Sequence, residues 1–112
     1  MSVTIYHNPR CTKSRQTLEL LQENGADPKI VEYLTAPPSA AELKKILAML
    51  GMTPAQLLRK KDADEAGIDA TQSDDALIAA MVANPIVIER PIVVTGGQAR
   101  IGRPPECVLE IL

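Results

Sequence analysis

Two short apolar strands separated by one helix constrain this 112-residue chain more than any other feature. Val3, Ile5 and Tyr6 read as one strand, and Ile30, Val31 and Tyr33 as the other. Between them Leu18 and Leu21 form the buried side of a helix that stops near Gly25 and Pro28. A helical connection of ~18 residues supports a right-handed crossover and hence parallel pairing of the two strands.

The rest of the chain follows from caps and periodicity. Ser39 and Glu42 form a capping box ahead of Leu43, Ile46, Leu47 and Leu50, and Gly51 ends that helix. Thr53 and Pro54 open a short helix with Leu57 and Leu58 that carries Arg59 near its end. Lys60 to Ala70 reads as a charged loop. A further helix starts around Ser73 to Asp75, with Leu77, Ile78, Met81 and Val82 as its stripe and Asn84-Pro85 as its stop. Ile92 to Val94, the Gly96-Gly97 turn and Ala99 to Ile101 then form a β-hairpin. Pro104 and Pro105 start a last helix that includes Val108, Leu109 and Leu112. The order is strand, helix, strand, helical block, two hairpin strands, helix. That is an α/β domain of thioredoxin-like order, with a mixed β-sheet and an inserted helical region at about 39–84, and the whole of 1–112 is expected to be one domain.

Composition excludes several classes. A net charge of −2 and a pI near 5.3 argue against a surface that coats nucleic acid, and the absence of Trp and Phe removes the usual stacking platforms. No apolar run has the length of a membrane span, and the N-terminus lacks the pattern of a signal peptide, so a cytoplasmic location is expected. Cys11 and Cys107 lie far apart with no CxxC spacing, which gives no support to a disulfide scaffold or a four-ligand zinc site. No metal, no bound cofactor and no nucleic acid or membrane partner is expected, and the chain is expected to be a monomer.

Cys11 follows the first strand and the turn His7-Asn8-Pro9, at the N-terminus of the first helix. Helix starts favour Asp or Glu, yet Arg10, Lys13 and Arg15 surround this one and no acid precedes Glu19. The helix beginning near Ser73 obeys the ordinary rule, so the basic start is particular to Cys11. The positive charge calls for an anion, either the thiolate itself or an oxyanion brought to it. Ser14 stands where dithiol enzymes carry a second cysteine, and its hydroxyl is expected to donate to the sulfur. With CxxS spacing the site closes no internal disulfide and depends on an external thiol to complete a redox cycle. The bland reading is a small buried cysteine beside an incidental basic turn. His7 either adds positive charge or ends the strand with its ring bonded to backbone, and a Cys-His nucleophile-base pair is a further option.

Tyr6 through Arg15 resembles the active-site segment of the glutaredoxin-coupled arsenate reductases, the ArsC family. Leu57-Leu58-Arg59-Lys60, Asn84-Pro85 through Val94, and Gly102 through Glu106 match further family segments in order. The resemblance implies a thioredoxin-like fold and reduction of arsenate to arsenite with glutathione as co-substrate and glutaredoxin as partner. By position it implies Cys11 as nucleophile and Arg59, Arg90 and Arg103 as oxyanion ligands, in keeping with the planar donor forks of guanidinium groups. His7, Asn8, Ser14, Arg15 and Pro91 fall at supporting positions, Pro91 matching a cis-proline that faces the active site. Ending at Leu112, the chain resembles the short chromosomal branch of the family, similar to YfgD, rather than the longer plasmid-type enzymes. Two other functions share the fold: an Spx-like transcriptional regulator that binds RNA polymerase, and a general glutathione-dependent thiol oxidoreductase.

Overall fold

The computed structural model describes residues 2–112, and these divide into two compact units. One comprises the segment up to Ala36 together with Arg90–Leu112, and the other Pro37–Glu89. No described helix is long and apolar enough to cross a membrane.

The first unit is built on a four-stranded mixed sheet. Its elements are β1 (Val3–His7), α1 (Thr12–Glu23), β2 (Lys29–Glu32), β3 (Ile92–Thr95), β4 (Gln98–Ile101) and a C-terminal 3-10 helix over Pro105–Ile111. The strand order is β2-β1-β3-β4. β1 pairs in parallel with β2 (Ile5 opposite Ile30), as the crossover length demands, and antiparallel with β3 (Ile5 opposite Val93). β3 and β4 form the hairpin expected around Gly96-Gly97, with Ile92 opposite Ile101. This is the mixed sheet of the thioredoxin-like fold, as the element order implies.

Burial alternates along β1, so Val3, Ile5 and His7 share the covered face. There Val3 and Ile5 join Leu21, Val93, Val108 and Ile111 in one core, with Leu18 and Leu20 packed against it. The last element departs from expectation. The expected last helix, which was to include Val108, Leu109 and Leu112, is a 3-10 helix that ends at Ile111 and buries Pro105, Val108 and Ile111 while Leu109 and Leu112 remain exposed. With three residues per turn, positions three apart eclipse, and that period selects this set.

The second unit is helical: α2 (Ala40–Leu50), α3 (Pro54–Leu57), α4 (Lys60–Glu65), α5 (Asp74–Ala83) and a 3-10 turn over Pro85–Val87. Ser39 and Glu42 make both bonds of their capping box, Thr53 and Gln56 make a second, and the Ser73 hydroxyl caps α5. Gly51 ends α2 in the left-handed region at φ 68°, a conformation that favours glycine. Leu43, Ile46, Leu47, Leu57, Leu77 and Met81 are buried.

Two local expectations are corrected in this unit. α3 ends at Leu57, and Leu58 forms a β-bridge with Ile88, so Arg59 lies beyond the short helix. The stretch from Lys60, expected as loop, contains α4, with Arg59 as its N-cap residue. α4 has a single buried residue, Ala63, and so leaves no apolar period to detect. Backbone bonds from Arg59 N–H to the Val87 carbonyl (2.7 Å) and from Glu89 N–H to the Leu57 carbonyl (2.8 Å) hold the segment.

Candidate active site

β1 delivers the chain into a tight turn that sets Cys11 at the start of α1. The Asn8 side-chain oxygen accepts from the Arg10 N–H at 3.0 Å, and the Asn8 carbonyl accepts from the Cys11 N–H, also at 3.0 Å. Cys11 is the N-cap of α1 in extended conformation, with no side-chain cap and no acid in the first turn. The first amides of a helix have no intrahelical acceptor, and here the Ser14 and Lys13 N–H groups lie by the sulfur and favour its charged form. The thiol remains partly exposed.

Ser14 reaches the sulfur through its backbone and not through its hydroxyl. The side chain is fully buried, its Oγ lies 2.6 Å from His7 Nδ1, and it accepts from the Asn8 N–H at 3.0 Å. The cause lies in β1, whose alternation points His7 inward beneath the turn. His7 therefore bonds a side-chain hydroxyl, a partner not among those the sequence left open. Burial pushes the His7 pKa below its usual 6.5 and the Arg15 charge adds to this, against the opposing pull of Glu32. The imidazole is accordingly neutral at neutral pH and brings no positive charge to the site. Arg15 is committed to the turn, donating to the Pro9 carbonyl at 2.9 Å and to Thr12 Oγ1 at 3.4 Å.

Arg90 and Arg103 come from the two ends of the hairpin. Because Ile92 faces Ile101, the residues just outside the strands also face each other. Gly102 N–H donates to the Pro91 carbonyl at 3.0 Å, and Arg103 Nε donates to the Arg90 carbonyl at 2.7 Å. The same guanidinium places Nη2 at 3.4 Å from Cys11 Sγ. Arg90 is itself buried, and its side chain also hydrogen-bonds the sulfur. The Arg90-Pro91 peptide bond is cis, as is Arg103-Pro104.

These groups act against burial, which by itself pushes the Cys11 thiol upward. The Ser14 amide, the Arg90 donor, the Arg103 charge and the Lys13 amide outweigh it, and the pKa falls below the ordinary thiol value of 9.0. The arrangement favours the thiolate form of a partly exposed cysteine with two guanidinium groups beside it.

Arg59 lies in the helical unit, where it pairs with Asp62 at 3.4 Å and Glu89 at 3.8 Å. The sheet unit thus brings together Cys11, His7, Asn8, Ser14, Arg15, Arg90, Pro91 and Arg103. Two contributors escaped the sequence reading. A Cβ on Gly102 would strike the Thr17 side chain and come within 2.8 Å of Pro91 Cγ, so glycine lets β4, α1 and the Pro91 turn close on one another. Thr17, fully buried, donates its hydroxyl to the Lys13 carbonyl at 2.8 Å. A glycine directly after a strand was the available signal for the first, whereas nothing marked Thr17. Among the described residues no group of three or more His, Cys, Asp or Glu side chains is arranged to hold a metal ion.

A mixed sheet of this order, with one activated thiol at a helix start and a serine three residues on, defines a thioredoxin-like domain with one cysteine in its CxxS motif. Within that class the pattern of the ArsC family matches residues 6–111, and the chain belongs to that family. It is 55% identical over 114 residues to YfgD of Escherichia coli (strain K12), described as uncharacterized, covering 98% of this chain and 96% of that protein. To the arsenate reductase of Rhizobium meliloti (strain 1021) it is 47% identical over 115 residues, covering 100% of this chain and 82% of that protein. The solved structure of the arsenate reductase from Vibrio cholerae matches with a TM-score of 0.90 and 51% identity, covering 100% of this chain and 98% of that one.

Proposed function

We propose that the chain reduces arsenate to arsenite through a covalent adduct on Cys11, using glutathione and a glutaredoxin as the source of electrons. The observation that carries this is the pairing of the Cys11 sulfur with Arg90 and Arg103, a nucleophile and oxyanion donors at one place. Relatives named arsenate reductase, alike over the whole of this chain, support the substrate.

Arsenate enters beside the guanidinium groups, and the Cys11 thiolate attacks arsenic, forming an S–As bond while one arsenate oxygen leaves as water. Charge on the remaining oxygens is met by Arg90, Arg103 and the α1 amides. The glutathione thiolate then attacks the Cys11 sulfur, making an S–S bond as the S–As bond breaks. The electron pair of the broken bond stays on arsenic, which departs as arsenite. A glutaredoxin thiolate takes glutathione from the mixed disulfide and returns Cys11 to its thiolate. Phosphate matches arsenate in shape and charge, so selectivity lies in the ability of arsenic(V) to accept two electrons. This chemistry belongs in a reducing compartment such as the cytoplasm.

Arg59 enters by its place in the family pattern, as the third oxyanion ligand. Each charge-assisted contact made in the transition state contributes about 1.5–3 kcal/mol, roughly ten- to a hundredfold in rate. Arg59→Ala is therefore expected to lower kcat/KM for arsenate by that factor; unchanged kinetics would remove Arg59 from the site.

The test is arsenite production with glutathione and glutaredoxin, comparing the native chain with Cys11→Ser. Arsenite formed by the native chain alone supports the reading. Equal output from the two defeats it. Reduction of glutathione mixed disulfides without arsenite would instead mark a general thiol oxidoreductase, and retention of RNA polymerase without turnover an Spx-like regulator.

A further inference from the structure

A cleft of about 410 Å³ runs along α1 away from Cys11, between Lys13, Gln16, Glu19 and Glu23 on the helix and Pro104 and Glu106 on the opposite wall. Its Lys13 end is the one that follows the thiol in sequence. Lys13 is two residues beyond Cys11, and Pro104 directly follows the arginine that touches the sulfur. Lys13, Gln16 and Glu23 fall at helical spacing on one side of α1, with Leu20 between them. Three carboxylates and one ammonium therefore line a cleft that opens beside an anion site. Among the described residues, none of these four charged side chains takes part in an ion pair or side-chain hydrogen bond.

An oxyanion has no use for the carboxylates. A simple cation has none for Lys13. A ligand carrying an ammonium and a carboxylate on one carbon matches both, and it must also bring a sulfur to Cys11. Glutathione has such a group at its γ-glutamyl end only, because its glycyl end carries a carboxylate alone. A tripeptide spans roughly 10 Å when extended, and the rise of α1 from Lys13 to Leu20 covers about the same length.

We propose that this cleft is the glutathione subsite, with the γ-glutamyl carboxylate at Lys13 and its ammonium between Glu19 and Glu106. This rests on the reading of Cys11 as a thiol that forms a mixed disulfide with glutathione, and it adds where and by which end glutathione is held. A larger role for the glycyl end is excluded by the surplus of acids. A second cleft, lined by His7, Arg10, Glu32 and Thr35 among others, lies by the same turn, but its Glu32 already acts on His7.

The experiment uses the full chain and needs no arsenate. Oxidised glutathione is reacted with Cys11, giving the mixed disulfide and one released glutathione thiolate, and the rate is divided by that with neutral 2-hydroxyethyl disulfide. In Glu19→Gln/Glu106→Gln this ratio is expected to fall roughly five- to tenfold, the size of two exposed charge contacts. The sign is diagnostic: oxidised glutathione is a net anion, so loss of two nearby carboxylates acting only through their field would raise the ratio. The disulfide of γ-glutamylcysteine should keep the native rate, and that of cysteinylglycine should lose it. A ratio that rises or stays level, or dependence on the glycyl end, overturns the proposal. Amide shifts on titration with S-methylglutathione provide a second measurement, expected at Lys13 to Glu23 and Glu106; shifts at His7, Arg10 and Glu32 instead would overturn it. Absence of arsenite formation with the ratio lowered would defeat the arsenate reading and leave the subsite standing.

Discussion

Ser14→Ala separates two roles that the CxxS spacing merges. If the hydroxyl supported the thiolate, its removal would raise the Cys11 pKa and leave stability little changed. The structure sets the opposite expectation. The Ser14 N–H that reaches the sulfur survives the substitution, whereas His7 Nδ1 and the Asn8 N–H lose a partner at 2.6 Å and 3.0 Å in a site closed to water. An unsatisfied buried polar group costs about 1–3 kcal/mol, and two, with some relaxation, amount to about 2–4 kcal/mol. Urea unfolding should show the midpoint falling at unchanged m-value. Titration of thiolate absorbance should place the Cys11 inflection where the native chain has it. Native stability with a raised inflection would refute the assignment, because it would put the hydroxyl on the sulfur. Should Ser14→Ala unfold outright, Ser14→Cys retains a weak donor and should lie between the two in stability.

Arg103→Ala should raise the Cys11 inflection and slow its alkylation at neutral pH, since the guanidinium charge is among the groups that hold the thiol down. Arg103→Lys should recover little of this, because one ammonium cannot both meet the Arg90 carbonyl and approach the sulfur as the guanidinium fork does; full recovery would show that charge alone matters. Gly102→Ala forces a methyl against Thr17 and Pro91 and should cost about 1–3 kcal/mol in chemical unfolding. His7 sets a pH dependence. Its folded pKa lies below 6.5, so on acidification the unfolded chain takes the proton first, and the stability tied to neutral His7 is complete above 6.5 and lost as pH falls below it. Unfolding midpoints between roughly pH 7 and pH 5 should therefore drop in the native chain and drop less in His7→Gln; equal slopes would show that His7 is not the group responsible.

The sequence by itself determined what is local. The α2 capping box, the Thr53-Pro54 start of α3, the Gly96-Gly97 hairpin and the parallel β1/β2 crossover each depend on residues within a few positions or on one chain length, and all were legible. So was Cys11 at an unusually basic helix start. Weak or competing local signals misled: α4 has one buried residue, and the final helix takes a 3-10 period that selects Ile111 over Leu112. Only tertiary structure decided that β3 lies against β1 on the side away from β2, and from that pairing came the convergence of Arg90 and Arg103 on a sulfur far away in sequence. Likewise the parity of β1 turned His7 inward and drew the Ser14 hydroxyl from the thiol, leaving the amides to hold it. Caps and turns are satisfied within a few residues, so sequence records them; the direction of a side chain depends on which distant surface covers it, and that is settled only when the sheet closes on α1.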